Sequence, residues 1–167
     1  MKLLTLTLAA AAFAGAAQAD GGHRHGQDGR DLPGAAAASA TALGLPASAK
    51  DATRTVAVAM RETEDGRMIF DPPRLEFLSG ETIHLMIRNE GEQEHEFVMD
   101  SLAAIKEHQS MMAEMSDMAH HDANALHLQP GDRGEIAWTF GAPGSYEFAC
   151  LLPGHYEGGM HGPLVVR

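Results

Sequence analysis

Basic residues are scarce in this 167-residue chain, which has 12 Lys and Arg against 23 Asp and Glu and a formal net charge of −11. Binding to nucleic acid depends on basic side chains that neutralise phosphates, so this balance argues against DNA or RNA as a partner. An acidic surface favours encounter with basic proteins, although an ordinary solvated surface explains the same charge.

Long hydrophobic runs are also lacking, because no stretch after the first 19 residues approaches the 18 apolar residues of a membrane-spanning helix. The N-terminus has Lys2, then an alanine-rich apolar run over residues 3–17, then Ala-Gln-Ala at residues 17–19. This is the pattern of a secretory signal peptide. We therefore expect residues 1–19 to be cleaved after Ala19, and the remaining protein to be periplasmic without a membrane anchor.

Cysteine is nearly absent, since Cys150 is the only one in the chain. A single thiol cannot form an internal disulfide, which is the usual role of cysteine in an exported protein. Metal ligation would give this thiol a purpose, because coordination shields a thiolate from oxidation and the metal can contribute folding free energy.

The segment CLLPGHYEGGM places His155 five residues after Cys150 and Met160 five residues after His155. A thiolate, an imidazole and a thioether from one short loop, with a second imidazole from elsewhere, form the His2Cys set with a weak axial Met. That set binds copper for one-electron transfer. We expect Tyr156 and His161 to line the loop without binding the metal, because adjacent residues point in different directions.

The second imidazole should come from a strand beside the one that leads into Cys150. Our choice is His95 in RNEGEQEHEFVMD, where a turn passes into a strand. His84 is the rival, but it lies in the middle of a strand between apolar Ile83 and Leu85, which makes it the weaker candidate.

A change in composition divides the remaining chain. Residues 20–52 are rich in Gly, Ala, Asp and Ser and have no aromatic residue, which predicts a flexible tail whose His23 and His25 could hold a loosely bound metal. From residue 53 onward, short β-type runs such as TRTVAVAM, TIHLMIRNEG and GEIAWTF are separated by turn signals. We predict an all-β fold, a Greek-key β-sandwich of antiparallel strands, over residues 53–167.

The segment SLAAIKEHQSMMAEMSDMAHH, residues 101–121, consists mainly of good helix formers, so we predict a helical insertion capped by Asp100 or Ser101. Its methionines and histidines stand at helical spacing, and thioethers favour Cu(I), so they form a candidate second copper site. This Met/His cluster comprises His108, Met111, Met112, Met115, Met118, His120 and His121, with His127 further along. The alternative is an apolar stripe that packs the helix onto the sandwich, because methionine fills irregular gaps well.

With these residues taken together, the chain from residue 53 resembles the cupredoxin family of small type 1 blue-copper proteins, which includes plastocyanin, azurin, rusticyanin and auracyanin. The resemblance rests on residues 89–99 with His-Glu-Phe around His95, on the strand SYEFAC, and on the two four-residue gaps of the ligand loop. It implies a β-sandwich that holds one type 1 copper. The implied ligands are His95, Cys150, His155 and Met160.

One position departs from the family pattern. Many members carry Asn or Ser after the first ligand histidine, whereas Glu96 follows His95 here. Groups around the ligands tune a metal, so Glu96 should affect the potential and the colour, and it is a candidate added ligand. The resemblance also implies that His155 is the more exposed ligand and that the electron leaves through it, across the apolar residues 151–154.

Two functions are compatible with these patterns. The first is an exported type 1 copper protein that transfers electrons and, through its tail and Met-rich helix, serves periplasmic copper homeostasis and tolerance. The second is a dedicated electron carrier with no role in copper handling. Both imply a redox partner, such as a cytochrome or a copper-handling protein, and we expect a monomer. An enzyme is disfavoured, because four ligands leave no open position for substrate; only a cuprous oxidase, with Cu(I) on the helix reducing the type 1 copper, would fit.

Overall fold

The computed structural model describes residues 41–114 and 122–167. Within these two ranges the chain forms ten strands, one α-helix and a short 3-10 turn at Ala49–Asp51. In chain order the elements are β1 (Gly44–Pro46), β2 (Arg54–Glu62), β3 (Met68–Asp71), β4 (Leu75–Phe77), β5 (Thr82–Asn89), β6 (His95–Asp100), α1 (Leu102–Glu114), β7 (Ala125–Leu128), β8 (Arg133–Phe140), β9 (Gly144–Ala149) and β10 (His161–Val166).

The strands form two five-stranded sheets, which confirms the predicted all-β sandwich. One sheet has the order β1-β8-β5-β2-β3 and the other has the order β4-β10-β9-β6-β7. The sheets are mixed, whereas we expected antiparallel strands, because β2 pairs with β5 and β4 pairs with β10 in parallel. The chain leaves the first sheet after β3 and returns to it at β5, so β5 lies beside β2 in the same direction.

The core lies between the two sheets. In β8, alternate residues Ile136, Trp138 and Phe140 are buried, as expected for a strand with one face toward a core. Phe140 stacks on Phe77 of the opposite sheet with ring centroids 4.1 Å apart. Contacts of this kind hold the two sheets face to face. They also fix the position of the neighbouring strands β6 and β9, at whose ends the candidate ligands lie.

The packed domain begins before the predicted boundary at residue 53. Leu43 is buried in the core, and its carbonyl accepts a hydrogen bond from Trp138 Nε1 at 3.3 Å. Strand β1 pairs with β8, so residues 41–52 belong to the sandwich and the predicted tail is corrected there. A low aromatic content did not reveal that one leucine in this segment fills the core. The predicted signal peptide and His23 and His25 lie outside the described residues.

The predicted helix is present as α1, between β6 and β7. Ser101 Oγ accepts a hydrogen bond from the backbone N–H of Ala104 at 3.2 Å, so Ser101 is the N-cap. In the part of the chain that the structure describes, no helix is long and apolar enough to cross a membrane. The rest of the predicted helical segment, residues 115–121 with Met115, Met118, His120 and His121, lies outside the described residues.

Candidate metal centre

The register of β6 and β9 brings two candidate ligands, His95 and Cys150, to the same end of a sheet. His95 is the first residue of β6 and is fully buried. The two strands are antiparallel, with Val98 opposite Ala149, the residue before Cys150. The start of β6 and the end of β9 are therefore neighbours, as the choice of His95 required.

The ligand loop, residues 150–160, folds back on itself between β9 and β10. The backbone N–H of Cys150 donates to the Met160 carbonyl at 3.0 Å, and the Met160 N–H donates to the His155 carbonyl at 3.0 Å. Gly154 and Gly159 have φ of +85° and +95°, a conformation that residues with a side chain rarely adopt. The backbone bonds thus tie the three candidate ligands of this loop to one another.

Three donor side chains converge at this point. One donor atom from each of His95, Cys150 and His155 lies within 4.8 Å of the others. His95 Nδ1 lies 3.2 Å from His155 Nδ1, and Cys150 Sγ lies 3.3 Å from the same nitrogen. Metal bonds to nitrogen and sulfur are about 2.0–2.3 Å long, so donors roughly 3–4 Å apart fit around a single ion. Met160 is also fully buried in the cluster that contains Cys150.

Burial sets the protonation of these donors. It lowers the pKa of His95 and, together with the nearby His95, the pKa of His155, so both rings are neutral and have a lone pair to share. Burial raises the pKa of the Cys150 thiol to about 12. A metal that binds here must displace the thiol proton, as soft cations do when they take a thiolate ligand. Two imidazoles, a thiol and a thioether in a dry pocket fit copper.

Glu62, the last residue of β2, contacts the remote nitrogen of His95. Its Oε1 lies 3.0 Å from His95 Nε2. The carboxylate also accepts hydrogen bonds from the backbone N–H groups of Glu92, at 2.8 Å, and Gln93, at 3.2 Å. Partial burial opposes ionisation, but these N–H groups and His95 lower the pKa of Glu62. The sequence analysis missed Glu62, because an acidic residue 33 positions before a histidine leaves no local signal.

Glu96 ties β6 to the ligand loop. Its Oε2 accepts a hydrogen bond from the Leu151 N–H at 3.0 Å, and its own N–H donates to Cys150 Sγ at 3.3 Å. Its Oε1 lies 3.2 Å from Nε2 of His127, which stands opposite Glu96 on β7. This interaction raises the pKa of His127. Glu96 is fully buried but is not among the three convergent donors, and His127 lies beside the carboxylates of Glu94 and Glu96.

Three further residues considered from the sequence lie outside the donor group. His84 is in the middle of β5, in the other sheet, with its Nε2 2.8 Å from Glu135 Oε2. The rings of Tyr156 and His161 stack with centroids 4.3 Å apart. Tyr156 and His161 also contact Glu147, so they frame the loop.

The Met/His cluster divides where the structure describes it. Met112 is buried with Ile105 and Leu151, as the stripe alternative expected. Met111 is 42% exposed, and it lines a surface cavity together with His108 and Asp100. The described part of α1 thus uses one methionine for packing and leaves another accessible.

Known proteins resemble this chain in sequence and in structure. Residues 56–167 match the sequence profile of the copper binding proteins of the plastocyanin/azurin family. Copper-resistant cuproprotein CopI of Rubrivivax gelatinosus is 46% identical over 163 residues, which cover 97% of this chain and 94% of that protein. CopI of Pseudomonas aeruginosa is 33% identical over an alignment that covers 80% of this chain and 87% of that protein. Reduced auracyanin of Roseiflexus castenholzii has a TM-score of 0.57 and 27% identity, covering 70% of this chain and 98% of its own.

The region matched by the profile includes β3 to β10, most of β2 and all three convergent donors. The similarity to CopI extends well beyond the ligand loop, over nearly the whole chain. The donor set, the sandwich and the profile agree on one assignment. This chain belongs to the plastocyanin/azurin family of copper binding proteins and has the cupredoxin fold.

Proposed function

We propose that this protein holds one type 1 copper and serves periplasmic copper tolerance, with one-electron transfer as the chemistry of its centre. The observation that carries the proposal is the convergence of three buried donors, with Met160 in the same backbone-tied loop. His95 and His155 would supply two imidazole nitrogens, Cys150 the thiolate and Met160 the axial thioether. Bound copper supplies a reversible Cu(II)/Cu(I) couple.

The protein contributes to electron transfer by fixing the donors of the centre and by leaving one side of the centre accessible. The strand register and the backbone bonds of the loop restrain the ligands, so the same arrangement serves both oxidation states. His155 is 8% exposed, whereas His95 is 0% exposed. Pro153 beside it is exposed and Leu152 is half-buried. We therefore assign the side of His155 as the exit for the electron toward a protein partner.

The tolerance role is supported by the relatives. Two proteins named copper-resistant cuproproteins are 46% and 33% identical to this chain over most of its length. We infer the same physiological role here, in the periplasm after removal of residues 1–19, with a redox or copper-handling protein as partner. We propose no enzymatic role, because the four donors leave no open ligand position.

A copper titration tests the centre. The mature chain from Asp20 is titrated in metal-free form with Cu(II) and, separately, with Cu(I), and absorption and copper bound per chain are measured. We expect one Cu(II) with an intense thiolate-to-copper band, and more than one Cu(I). One copper in either state would favour the second candidate, a dedicated electron carrier. Such a carrier needs the accessible side at His155 but no second copper site. A titration without a coloured site would refute the type 1 centre.

A methionine replacement separates the two candidates in cells. Met111, Met112, Met115 and Met118 are replaced together by leucine, which conserves volume. Under the tolerance proposal, Cu(I) stoichiometry and growth in copper both fall; under the carrier alternative, neither changes. Met86→Leu is the matched control, because Met86 is an exposed methionine on β5.

A further inference from the structure

We infer that Glu62 is a positioning residue of the copper centre. It orients the His95 ring so that Nδ1 faces the metal, and it places a negative charge against this ligand that favours Cu(II) over Cu(I). The inference rests on the proposed type 1 centre and deepens it. The contact that carries it joins Glu62 Oε1 to His95 Nε2, 3.0 Å apart.

The carboxylate of Glu62 is held by the backbone of the turn between β5 and β6. The N–H groups of Glu92 and Gln93 donate to its two oxygens. A Cβ atom at position 91 would overlap the Glu62 carboxylate in its present position, so Gly91 leaves the space that the carboxylate occupies. The position of the carboxylate is therefore fixed by backbone groups, independently of His95.

This arrangement selects one tautomer of His95. A neutral imidazole has one N–H and one lone pair, and an ionised carboxylate only accepts hydrogen bonds. Nε2 of His95 must therefore donate to Glu62, which leaves the lone pair on Nδ1. Nδ1 is the atom that lies 3.2 Å from His155 Nδ1, inside the donor group. A metal ligand needs its lone pair on this side, and its other nitrogen is usually held in this way.

The charge of Glu62 acts on the metal through the same contact. The His95 side chain is 0% exposed and that of Glu62 is 19% exposed, so little water separates or screens the pair. Among the residues that the structure describes, no lysine or arginine forms an ion pair with Glu62. The side chain that contacts the Glu62 carboxylate is His95. A negative charge in contact with a ligand stabilises the higher metal charge, so it should lower the reduction potential.

Neutralisation of Glu62 tests the charge effect. Glu62→Gln in the mature chain keeps an acceptor oxygen of similar reach but removes the charge. We expect the thiolate-to-copper band to persist, Cu(II) affinity to fall about tenfold to a hundredfold, and Cu(I) affinity to change less. Each tenfold fall in the ratio of Cu(II) affinity to Cu(I) affinity raises the one-electron reduction potential by about 59 mV. The control is Glu64→Gln, which removes the same charge from an exposed side chain in the turn that follows β2 and should leave the ratio unchanged.

The tautomer is measured without copper. Nitrogen-15 NMR of the imidazoles in the metal-free protein should show His95 protonated at Nε2 in the wild type and in Glu62→Gln. Glu62→Ala removes the acceptor, so both tautomers should be populated. Thermal unfolding of each metal-free variant establishes that the sandwich is retained. The inference is overturned if Glu62→Ala leaves the tautomer unchanged and Glu62→Gln gives the same ratio of copper affinities as Glu64→Gln.

The two proposals fail in different ways. If the wild type gives no thiolate-to-copper band, the type 1 centre is refuted and the role of Glu62 falls with it. If the wild type gives the band but Glu62→Gln and Glu64→Gln have the same potential and Glu62→Ala keeps the wild-type tautomer, only the inference about Glu62 is refuted.

Discussion

The ligand loop and helix α1 carry the same kinds of soft donor, yet the fold treats them differently. In the loop, Cys150 and Met160 are fully buried and His155 is 8% exposed, and the backbone joins the three. On the helix, Met112 is buried while its neighbour Met111 is 42% exposed. Donor type alone therefore does not make a metal centre, because the donors must also converge.

The difference follows from backbone geometry. Consecutive residues on an α-helix are about 100° apart around the axis, so Met111 points away from the direction of Met112, and Met112 is the one of the two that is buried. A loop with left-handed glycines can reverse direction and bring residues five positions apart to one place. The loop is thus suited to a buried centre with one ion, whereas the helix leaves Met111 accessible at its surface.

The largest expected effect is the loss of the centre in Cys150→Ser. We expect the thiolate-to-copper band to disappear, while the Cu(I) binding proposed for the Met-rich segment remains. A hydroxyl in place of the buried thiol should destabilise the metal-free protein by about 1–3 kcal/mol at most, because few partners can satisfy it. Absorption and copper stoichiometry measure the outcome, and a band that persists would show that the ligand set is wrong.

The contrast between the two helix methionines can be measured as stability. Met112→Ala removes a buried side chain from the cluster with Ile105 and Leu151 and should destabilise the protein by about 2–5 kcal/mol. Met111→Ala should change the free energy of unfolding by no more than about 0.5 kcal/mol, as at other exposed sites. Urea unfolding of the metal-free variants is the measurement. Equal effects would contradict the division of the helix into a packed and an open side.

The tie between β6 and the ligand loop is tested by Glu96→Ala. The substitution leaves the buried N–H of Leu151 without its acceptor and removes the nearer of the two carboxylates beside His127, so we expect a loss of about 1–3 kcal/mol. The thiolate-to-copper band should also shift, because the loop that holds Cys150 is released. Glu107→Ala on the exposed side of α1 is the control. An unshifted band together with unchanged stability would show that Glu96 does not hold the loop.

The smallest structural effect is expected for Met160→Leu. The two side chains have similar volumes, so the buried site should lose less than about 1.5 kcal/mol. The band from Cys150 should remain, and the potential should rise because the axial donor is gone. Voltammetry measures the potential, with Met86→Leu as the control for loss of a thioether far from the centre. If both variants keep the wild-type potential, Met160 is not an axial ligand.

Much of the centre could be anticipated from residues that are close together along the chain. The ligand loop is a single local segment, and His95 was identified from a turn that passes into a strand. Other features depended on distant pairings. The short strand β1 and the burial of Leu43 were missed because their partners lie in β8, far along the chain. The position of His127 beside Glu96 was also missed, because the strand that carries His127, β7, has only four residues.

The amino-acid sequence by itself determined the donor types, their spacing in the ligand loop and the alternation that buries one face of each strand, because these depend on near neighbours in the chain. Only the tertiary structure decided that Glu62 meets His95, that Glu96 meets Leu151 and that Met112 rather than Met111 is buried. These contacts depend on sheet order, on strand register and on which side of the helix faces the sandwich. They join residues from separate elements, so no local pattern encodes them.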